Sequence, residues 1–194
     1  MYSGNIALTQ GLERVVKSAT QLRNFIYIIF MIVGHEEGLQ QLQRECQKNR
    51  ADNVLLVPFQ PRECLSEMLA MADLSLVVQK KNVVAFNLAS KIQVLMASEK
   101  AIIASVPKNG TVARLINKSG AGIVAAPENR TALAQPILNL HKNPTTINNI
   151  GYNSRQYPVN NYTVEQGLNS YESLFDEAIG QIEIRPGAVS NQEV

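Results

Sequence analysis

The residues best suited to binding an anion follow one predicted strand and open the next predicted helix. Gln79 ends an apolar strand, Lys80 follows in the loop, and Ser90 and Lys91 lie at the start of the helix that comes next. Backbone N–H groups and the positive end of a helix attract phosphate, and a lysine adds a full charge. Ligands of open α/β sheets collect at the carboxyl ends of the strands. We therefore expect any small-molecule site of this chain to lie here.

Gly4 and Asn5 form a second candidate, in a predicted turn between the first strand and the first helix. Such a turn could hold a pyrophosphate against the helix, or Gly4 could serve only to give the backbone a positive φ. The residues alone leave both interpretations open. Gly34 and Gly38 resemble a phosphate-binding loop more weakly, because dinucleotide fingerprints space their glycines more tightly. We interpret this second pair as a simple turn.

The sequence positions of the other ionisable residues do not favour a catalytic or metal-binding role. Glu63 and Glu67 are four residues apart on one face of a predicted helix, but that face lies opposite the apolar stripe. This placement favours solvated carboxylates over acid–base chemistry. His35 and His141 are isolated in the sequence, so neither is predicted to bind a metal. The sequence contains no nucleophile elbow, Walker loop or zinc pattern.

Composition narrows the class of protein. The 194 residues are 45% hydrophobic and 18% charged, which is typical of a soluble globular protein with one domain of ordinary size. A net charge of +2, the lack of Trp and the lack of a long block of like charges argue against a nucleic-acid partner. Cys46 and Cys64 have no metal-ligand spacing and indicate a reduced, intracellular protein.

The elements that must position these residues begin with a strand at residues 74–79, a loop at 80–87, a helix at 88–97 and a strand at 101–105. Both strands are apolar on both faces, which is typical of parallel strands covered by helices. A helix between two such strands forms a right-handed βαβ crossover. We therefore predict an α/β fold, with a doubly wound parallel sheet.

The remaining elements follow the same alternation. Residues 25–33 contain five β-branched residues and three aromatics, are too few to cross a bilayer as a helix, and are predicted to form a buried central strand. The other predictions are a first strand that ends at Gly4, strands at 54–59 and 122–125, and helices at 8–22, 39–48, 61–72, 111–120, 129–140, 145–156 and 163–179. Pro136 should kink its helix or delay its start.

Short sequence words occur along the chain in a familiar order. They include YSGN at 2–5, QGLE at 10–13, IVG at 32–34, PFQPRE at 58–63, ASK at 89–91 and GAGIV at 120–124. Each word is unspecific, but the ordered set resembles the C-terminal half of group-one retaining glycosyltransferases of the colanic-acid and exopolysaccharide type. The resemblance covers roughly residues 1–175.

The resemblance implies an enzyme of the GT-B fold, in which two Rossmann-like domains face each other across a cleft. It implies a nucleotide-sugar donor (UDP- or GDP-linked), no metal or other cofactor, and no nucleic acid. The missing N-terminal domain would bring a lipid-linked or polysaccharide acceptor. We expect a cytoplasmic protein that acts at the inner face of the membrane, with a donor-binding domain at residues 1–180 and a tail at 181–194.

Carried over residue by residue, the resemblance assigns a donor site. Gly4 and Asn5 would lie by the pyrophosphate, with Gln10 where many relatives have a lysine. Ser90 and Lys91 would hold phosphate or sugar, and Gln79 lies at the end of the preceding strand. The loop before the third helix would line the base, through Phe59, Arg62 and Glu63.

The sequence departs from the family pattern in one region. Many relatives carry two glutamates seven residues apart, and Phe86 and Val94 occupy those places here. Ala89 replaces the proline of the subgroup, Glu99 replaces a glycine, and Ala101 replaces a proline. We expect the isolated chain to bind a nucleotide weakly and to transfer no sugar.

Two alternative functions remain. One is a non-catalytic or vestigial docking module, which would be marked by an apolar patch. The other is a nucleotide-sugar epimerase, for which the sequence lacks a suitable acid and base.

Overall fold

A computed structural model describes residues 1–6, 11–80, 88–127, 129 and 132–183. The chain divides into two compact units, Met1–Pro158 and Val159–Val194. The first unit contains every strand of the described residues and all the candidate site residues among them. The expectation of a single domain over residues 1–180 stays a prediction.

The strands are all parallel and form two three-stranded sheets, as the alternating pattern predicts. One sheet has the order β1-β2-β3 and the other β4-β5-β6. Backbone bonds from the Met1 amino group to the Leu74 carbonyl (2.6 Å) and from the Leu76 N–H to the Met1 carbonyl (2.8 Å) place β4 beside β1. The strands are β1 Tyr2–Ser3, β2 Phe30–Gly34, β3 Val54–Pro58, β4 Leu74–Val78, β5 Ala101–Ser105 and β6 Gly122–Ala125.

Helices connect the strands and complete the doubly wound pattern. The crossover between β4 and β5 is a helix with the predicted bounds, Leu88–Ala97, and a short 3₁₀ turn at Arg62–Cys64 precedes the third helix. The helices are α1 Glu13–Gln21, α2 Glu36–Asn49, α3 Leu65–Ala70, α4 Leu88–Ala97, α5 Thr111–Ser119, α6 Ala134–His141, α7 Pro144–Asn161 and α8 Val164–Glu183.

Both faces of the sheet are buried, which explains why its central strands are apolar throughout. In β4, Leu76 and Val78 join one hydrophobic cluster and Val77 joins another. Successive side chains of a strand point to opposite faces, so each face of β4 has its own core. Residues from α1, α2 and α6 pack in the first cluster, and residues from α4 and α5 pack in the second. The predicted α/β doubly wound fold is therefore confirmed.

The prediction of a strand over residues 25–33 was wrong for its first five residues. Phe25 and Ile28 donate backbone hydrogen bonds to Leu22 and Phe25, which makes tight turns, and β2 begins only at Phe30. Tyr27 is 84% exposed. It lies with Ile29 in the wall of a groove of about 530 Å³ at the amino ends of β2 and β4.

Some helix boundaries also differ from prediction. Residues 8–10 of the first predicted helix lie outside the described residues. Among the described ones α1 begins at Glu13, after Gly11, whose φ of +69° an α-helix does not accommodate. Gly110 occupies the N-cap of α5, which begins at Thr111 as predicted and ends at Ser119. Pro136 lies in the first turn of α6, so it delays the start of this helix to Ala134, as expected.

The second unit consists mainly of α8, which starts where the sequence predicts. The N–H of Gln166 donates to the Thr163 hydroxyl, and the Thr163 N–H donates to the Gln166 side chain, both at 3.2 Å. This reciprocal pair is a capping box. The apolar stripe of α8 is exposed, at Val164, Leu168, Tyr171, Leu174, Phe175 and Ile179.

Candidate functional site

The turn after β1 brings a glycine to the carboxyl edge of the sheet. Gly4 has a φ of +144°, which L side chains rarely adopt, and its N–H donates to the Val33 carbonyl at 3.1 Å. The Tyr2 hydroxyl donates to the Asn5 carbonyl at 2.7 Å, which fixes the far side of the turn. Gly4 therefore has the positive φ that is one of the two roles predicted for it from the sequence. Whether the turn also holds a pyrophosphate stays a prediction.

Lys91 reaches this turn from the first half of α4. Its ammonium nitrogen Nζ lies 3.7 Å from the centroid of the Tyr2 ring, and a Cβ on Gly4 would lie 3.5 Å from Nζ. Burial lowers the pKa of Lys91 to about 8, because removal from water disfavours the charged form. None of the described carboxylates forms an ion pair with Lys91. The ammonium thus lies beside the Gly4 turn, where an anion held by the turn would be within its reach.

The end of β4 lies over the start of α1. Gln79 is buried, and its backbone N–H donates to Ser105 at the end of β5 (2.9 Å). Nζ of Lys80 lies 3.9 Å from a carboxylate oxygen of Glu13, with both side chains about one-third exposed or more. Such exposed pairs are weak and exchange readily. Glu13 was not predicted as part of this region, because a helix over residues 8–22 places it in the second turn, whereas α1 begins at Glu13.

Gly34 and Gly38 accommodate a neighbouring side chain. A Cβ on Gly34 would lie 2.3 Å from Cδ1 of Ile6, and a Cβ on Gly38 would lie 2.4 Å from its Cβ. Atoms cannot approach so closely, so Ile6 can pack here only because both residues are glycines. Gly34 ends β2 and Gly38 lies in α2, so the packing of Ile6, and not a simple turn, accounts for this pair.

The predicted base-binding loop follows β3. Phe59 is 42% exposed, and its ring meets the ring of His35 edge to face, with centroids 4.4 Å apart. Arg62 and Glu63 are exposed on the 3₁₀ turn Arg62–Cys64. The structure therefore leaves this loop accessible, and among the described residues no ion pair or ring contact joins it to Lys91.

The remaining predicted positions are placed as follows. Ser90 is exposed in the first turn of α4, next to Lys91. Gln10 lies outside the described residues, and so does Phe86, one of the two places where many relatives have a glutamate. The other place, Val94, is 45% exposed on α4.

The sequence analysis missed the role of Tyr2 in this arrangement. Tyr2 is only 2% exposed, and it contacts both the turn, through its hydroxyl, and Lys91, through its ring. Its position two residues before Gly4 was the signal that could have identified it, because the last residues of a strand flank the turn that follows. The site as described therefore consists of Tyr2, Gly4, Asn5 and Lys91.

The described residues contain neither a cluster of metal-ligand side chains nor a membrane-spanning helix. In this part of the chain no three or more His, Cys, Asp and Glu side chains cluster as metal ligands would. No helix in the described ranges combines the length and the apolar character needed to cross a membrane.

Comparison with known sequences connects the chain to sugar transfer. A model of the family described as glycosyl transferases group 1 matches residues 1–157. The putative colanic acid biosynthesis glycosyl transferase WcaI of Escherichia coli (strain K12) is 38% identical over 97 residues. These residues make up 50% of this chain and 24% of WcaI, so the match spans about a quarter of that curated relative.

Comparison with solved structures gives the same fold. The C-terminal domain of the group 1 glycosyl transferase LpcC from Francisella tularensis superposes with a TM-score of 0.69 at 16% identity, and covers 84% of this chain and 86% of that domain. HepE from Anabaena, crystallised with UDP, superposes with a TM-score of 0.74 at 14% identity, over 90% of this chain and 48% of HepE. The first unit and these proteins thus share one architecture.

Proposed function

This chain belongs to the group 1 glycosyl transferases, and we propose that it is the donor-binding part of such an enzyme. The full enzyme transfers a sugar from a nucleoside-diphosphate sugar to a lipid-linked or polysaccharide acceptor. The observation that carries this proposal is the partly buried ammonium of Lys91 beside Gly4, at the carboxyl edge of a parallel sheet. UDP in the crystals of HepE and the name of WcaI support the choice of donor and acceptor class.

In this proposal Lys91 binds the diphosphate of the donor. The bond between the anomeric carbon and a diphosphate oxygen breaks, an acceptor oxygen takes its place, and negative charge grows on the departing diphosphate. A fixed positive charge stabilises this change most strongly where water is excluded. Burial of Lys91, expressed in its lowered pKa, provides such a place. The charge of Lys91 serves here without a metal.

The other predicted residues are assigned around that position. Gly4 and Asn5 lie by the pyrophosphate, Ser90 offers a hydroxyl beside Lys91, and Phe59 lies with Arg62 and Glu63 in the loop for the base. Gln79 supports the end of β4, and Gln10 keeps its assignment from the resemblance. The acceptor is bound by a separate N-terminal domain, at the inner face of the membrane.

The first experiment is a melting-temperature titration of the full chain with UDP, GDP and their sugar conjugates. A ligand present at about 100 times its Kd stabilises a folded protein by about 2.7 kcal/mol, which is a measurable shift. We expect a shift with nucleotides of one base and loss of that shift in Lys91→Met. Lys142→Met is the matched control, because Lys142 is an exposed lysine after α6, and it should retain the shift.

Two results would contradict the proposal. A folded chain whose melting temperature responds to none of these nucleotides would favour the non-catalytic docking module, which shares the fold without the ligand. A shift that survives in Lys91→Met would leave a nucleotide site but remove Lys91 from it.

A further inference from the structure

We propose that Tyr2 is a positioning residue for Lys91, whose ammonium it holds over its ring and beside the Gly4 turn. The identity of the anion that Lys91 meets there rests on the proposed function. The contact between the two side chains does not, because it is formed within the chain itself.

Lys91 needs a partner to fix its position. A lysine side chain is a flexible four-carbon stem with a compact charge at its end. The described residues supply no carboxylate to hold this charge. The ring of Tyr2 lies 3.7 Å from Nζ, and the face of an aromatic ring attracts a cation at this distance, most strongly where water is excluded. Among the described residues, the ring of Tyr2 is therefore the group that attracts Nζ of Lys91 electrostatically.

Tyr2 is itself held rigidly, so it can serve as a platform. It is 2% exposed, and β1 pairs with β2 through Tyr2 opposite Ile32. Its hydroxyl donates to the Asn5 carbonyl at 2.7 Å. The residue that supports the ammonium is thus tied to the same turn that the ammonium faces.

The contact is one between a cation and a neutral ring. Burial raises the pKa of Tyr2 to about 12, so the phenol keeps its proton throughout the range in which Lys91 titrates. A tyrosinate would form an ion pair with Lys91 and compete with an incoming anion. A neutral ring attracts the ammonium and leaves its charge available for a phosphate.

The first test is NMR of the ligand-free chain with labelled lysine. An aromatic ring shifts the signals of protons above its face upfield, so we expect upfield-shifted ε-methylene protons for Lys91. Tyr2→Phe should retain this shift because it retains the ring, and Tyr2→Leu should lose it. Tyr27→Leu, the same change at an exposed residue, should leave it in place. An ordinary lysine position for these signals in the unmodified chain would overturn the proposal, whether or not a nucleotide binds.

The second test separates positioning from general support of the fold. We measure Kd for the nucleoside diphosphate that the chain binds, UDP or GDP, and for the matching nucleoside. Tyr2→Leu should weaken the diphosphate about tenfold and change the nucleoside by less than about twofold, because only the diphosphate meets Lys91. In a Lys91→Met background the same substitution should have no further effect on the diphosphate, as expected for two residues that act together.

The outcomes distinguish this inference from the proposed function. Equal weakening of diphosphate and nucleoside, or weakening that persists in the Lys91→Met background, would overturn the positioning role. If no nucleotide binds, the proposed function fails and the NMR measurement alone decides whether Tyr2 positions Lys91. Melting curves of each variant identify any that fail to fold, and the ring-current shift of the unmodified chain needs no variant.

Discussion

At the scale of the residue, Lys91 combines a proposed role in binding with an unfavourable effect on the stability of the fold. Removing an ammonium from water costs free energy, and the ring of Tyr2 offsets only part of that cost. The lowered pKa of Lys91 reflects the part of this desolvation cost that the ring does not offset. We therefore expect the folded chain to become more stable when Lys91 is replaced by an uncharged residue.

We predict that Lys91→Met raises the free energy of unfolding at pH 7 by about 1–3 kcal/mol. Below pH 8 Lys91 is charged in both the folded and the unfolded chain, so the folded chain bears the whole cost of burial. Between pH 8 and 10.5 the folded chain loses this proton before the unfolded chain does, and the cost disappears. Urea unfolding across this range should show the advantage of the variant shrinking as pH rises. A variant less stable than the parent at pH 7 would contradict this account.

Glu99 occupies a conformation that suits glycine, which is the residue usual there in the family that the sequence resembles. Its φ is +57°, and its carbonyl oxygen would lie 2.6 Å from a Cβ on Gly151. A non-glycine residue pays a steric cost in this left-handed region.

We therefore predict that Glu99→Gly raises the free energy of unfolding by about 0.5–1 kcal/mol, because relief of that cost exceeds the added freedom of the unfolded chain. Glu67→Gly, on the exposed side of α3, is the control and should lower it by about 1 kcal/mol. Denaturant unfolding measures both. A loss of stability in Glu99→Gly would show that the glutamate side chain contributes more than the strain costs.

At the scale of the element, β6 depends on a glycine for its approach to β5. A Cβ on Gly122 would lie 1.8 Å from the Ile102 carbonyl oxygen, which is a backbone atom that cannot turn away. Gly122→Ala must therefore separate the two strands or bend one of them.

We expect Gly122→Ala to lower the free energy of unfolding by at least about 2 kcal/mol, measured by urea unfolding. Gly167→Ala is the matched control, because a Cβ on this helical glycine meets nothing within 4 Å. Alanine favours a helix by about 0.5–1 kcal/mol over glycine, so the control should retain or increase stability. Equal stability of the two variants would contradict the close approach of β6 to β5 at Gly122.

Sequence reasoning predicted the elements well where apolar pattern and pairing agree. The bounds of α4, β5 and β6 match, because each has a buried face that ends at a turn signal. It failed at residues 25–29, which are as apolar as the strand that follows. A strand also needs a neighbour, and β3 pairs with β2 only from Val54 opposite Phe30 onward. Apolarity alone does not contain that information.

The candidate site was predictable in part for a similar reason. Strand ends and helix starts can be read from the pattern, which is how Gly4 and Lys91 were identified before the structure placed them together. The support of Lys91 by Tyr2 joins residues 89 positions apart. Such a contact depends on the order of strands across the sheet, and no local pattern specifies that order.

At the scale of the whole molecule, the matched region is only part of the relatives. The alignment covers 24% of WcaI, whereas the C-terminal domain of LpcC alone is covered to 86%. In our proposal the donor and the acceptor meet between two domains, so a donor-binding part by itself lacks the site that would present the acceptor oxygen to the anomeric carbon.

We predict that the isolated chain transfers no sugar from UDP- or GDP-linked donors to lipid or oligosaccharide acceptors. A mass-spectrometric assay of acceptor and released diphosphate should remain at the level of a sample without protein. Adding a separately produced N-terminal domain of a close relative should restore transfer if the two parts can associate. Transfer by the chain alone would require an acceptor site that our proposal places elsewhere.

The buried phenol of Tyr2 also provides an optical signal. The chain contains six tyrosines and no tryptophan, so its near-ultraviolet spectrum is dominated by tyrosine. Burial raises the pKa of Tyr2 to about 12, above the value near 10 that is usual for tyrosine. The tyrosinate absorbance of Tyr2 in an alkaline titration therefore reports on β1 and its turn. Exposure of that strand to solvent would move this absorbance to lower pH, so the strand carries its own chromophore and needs no added label.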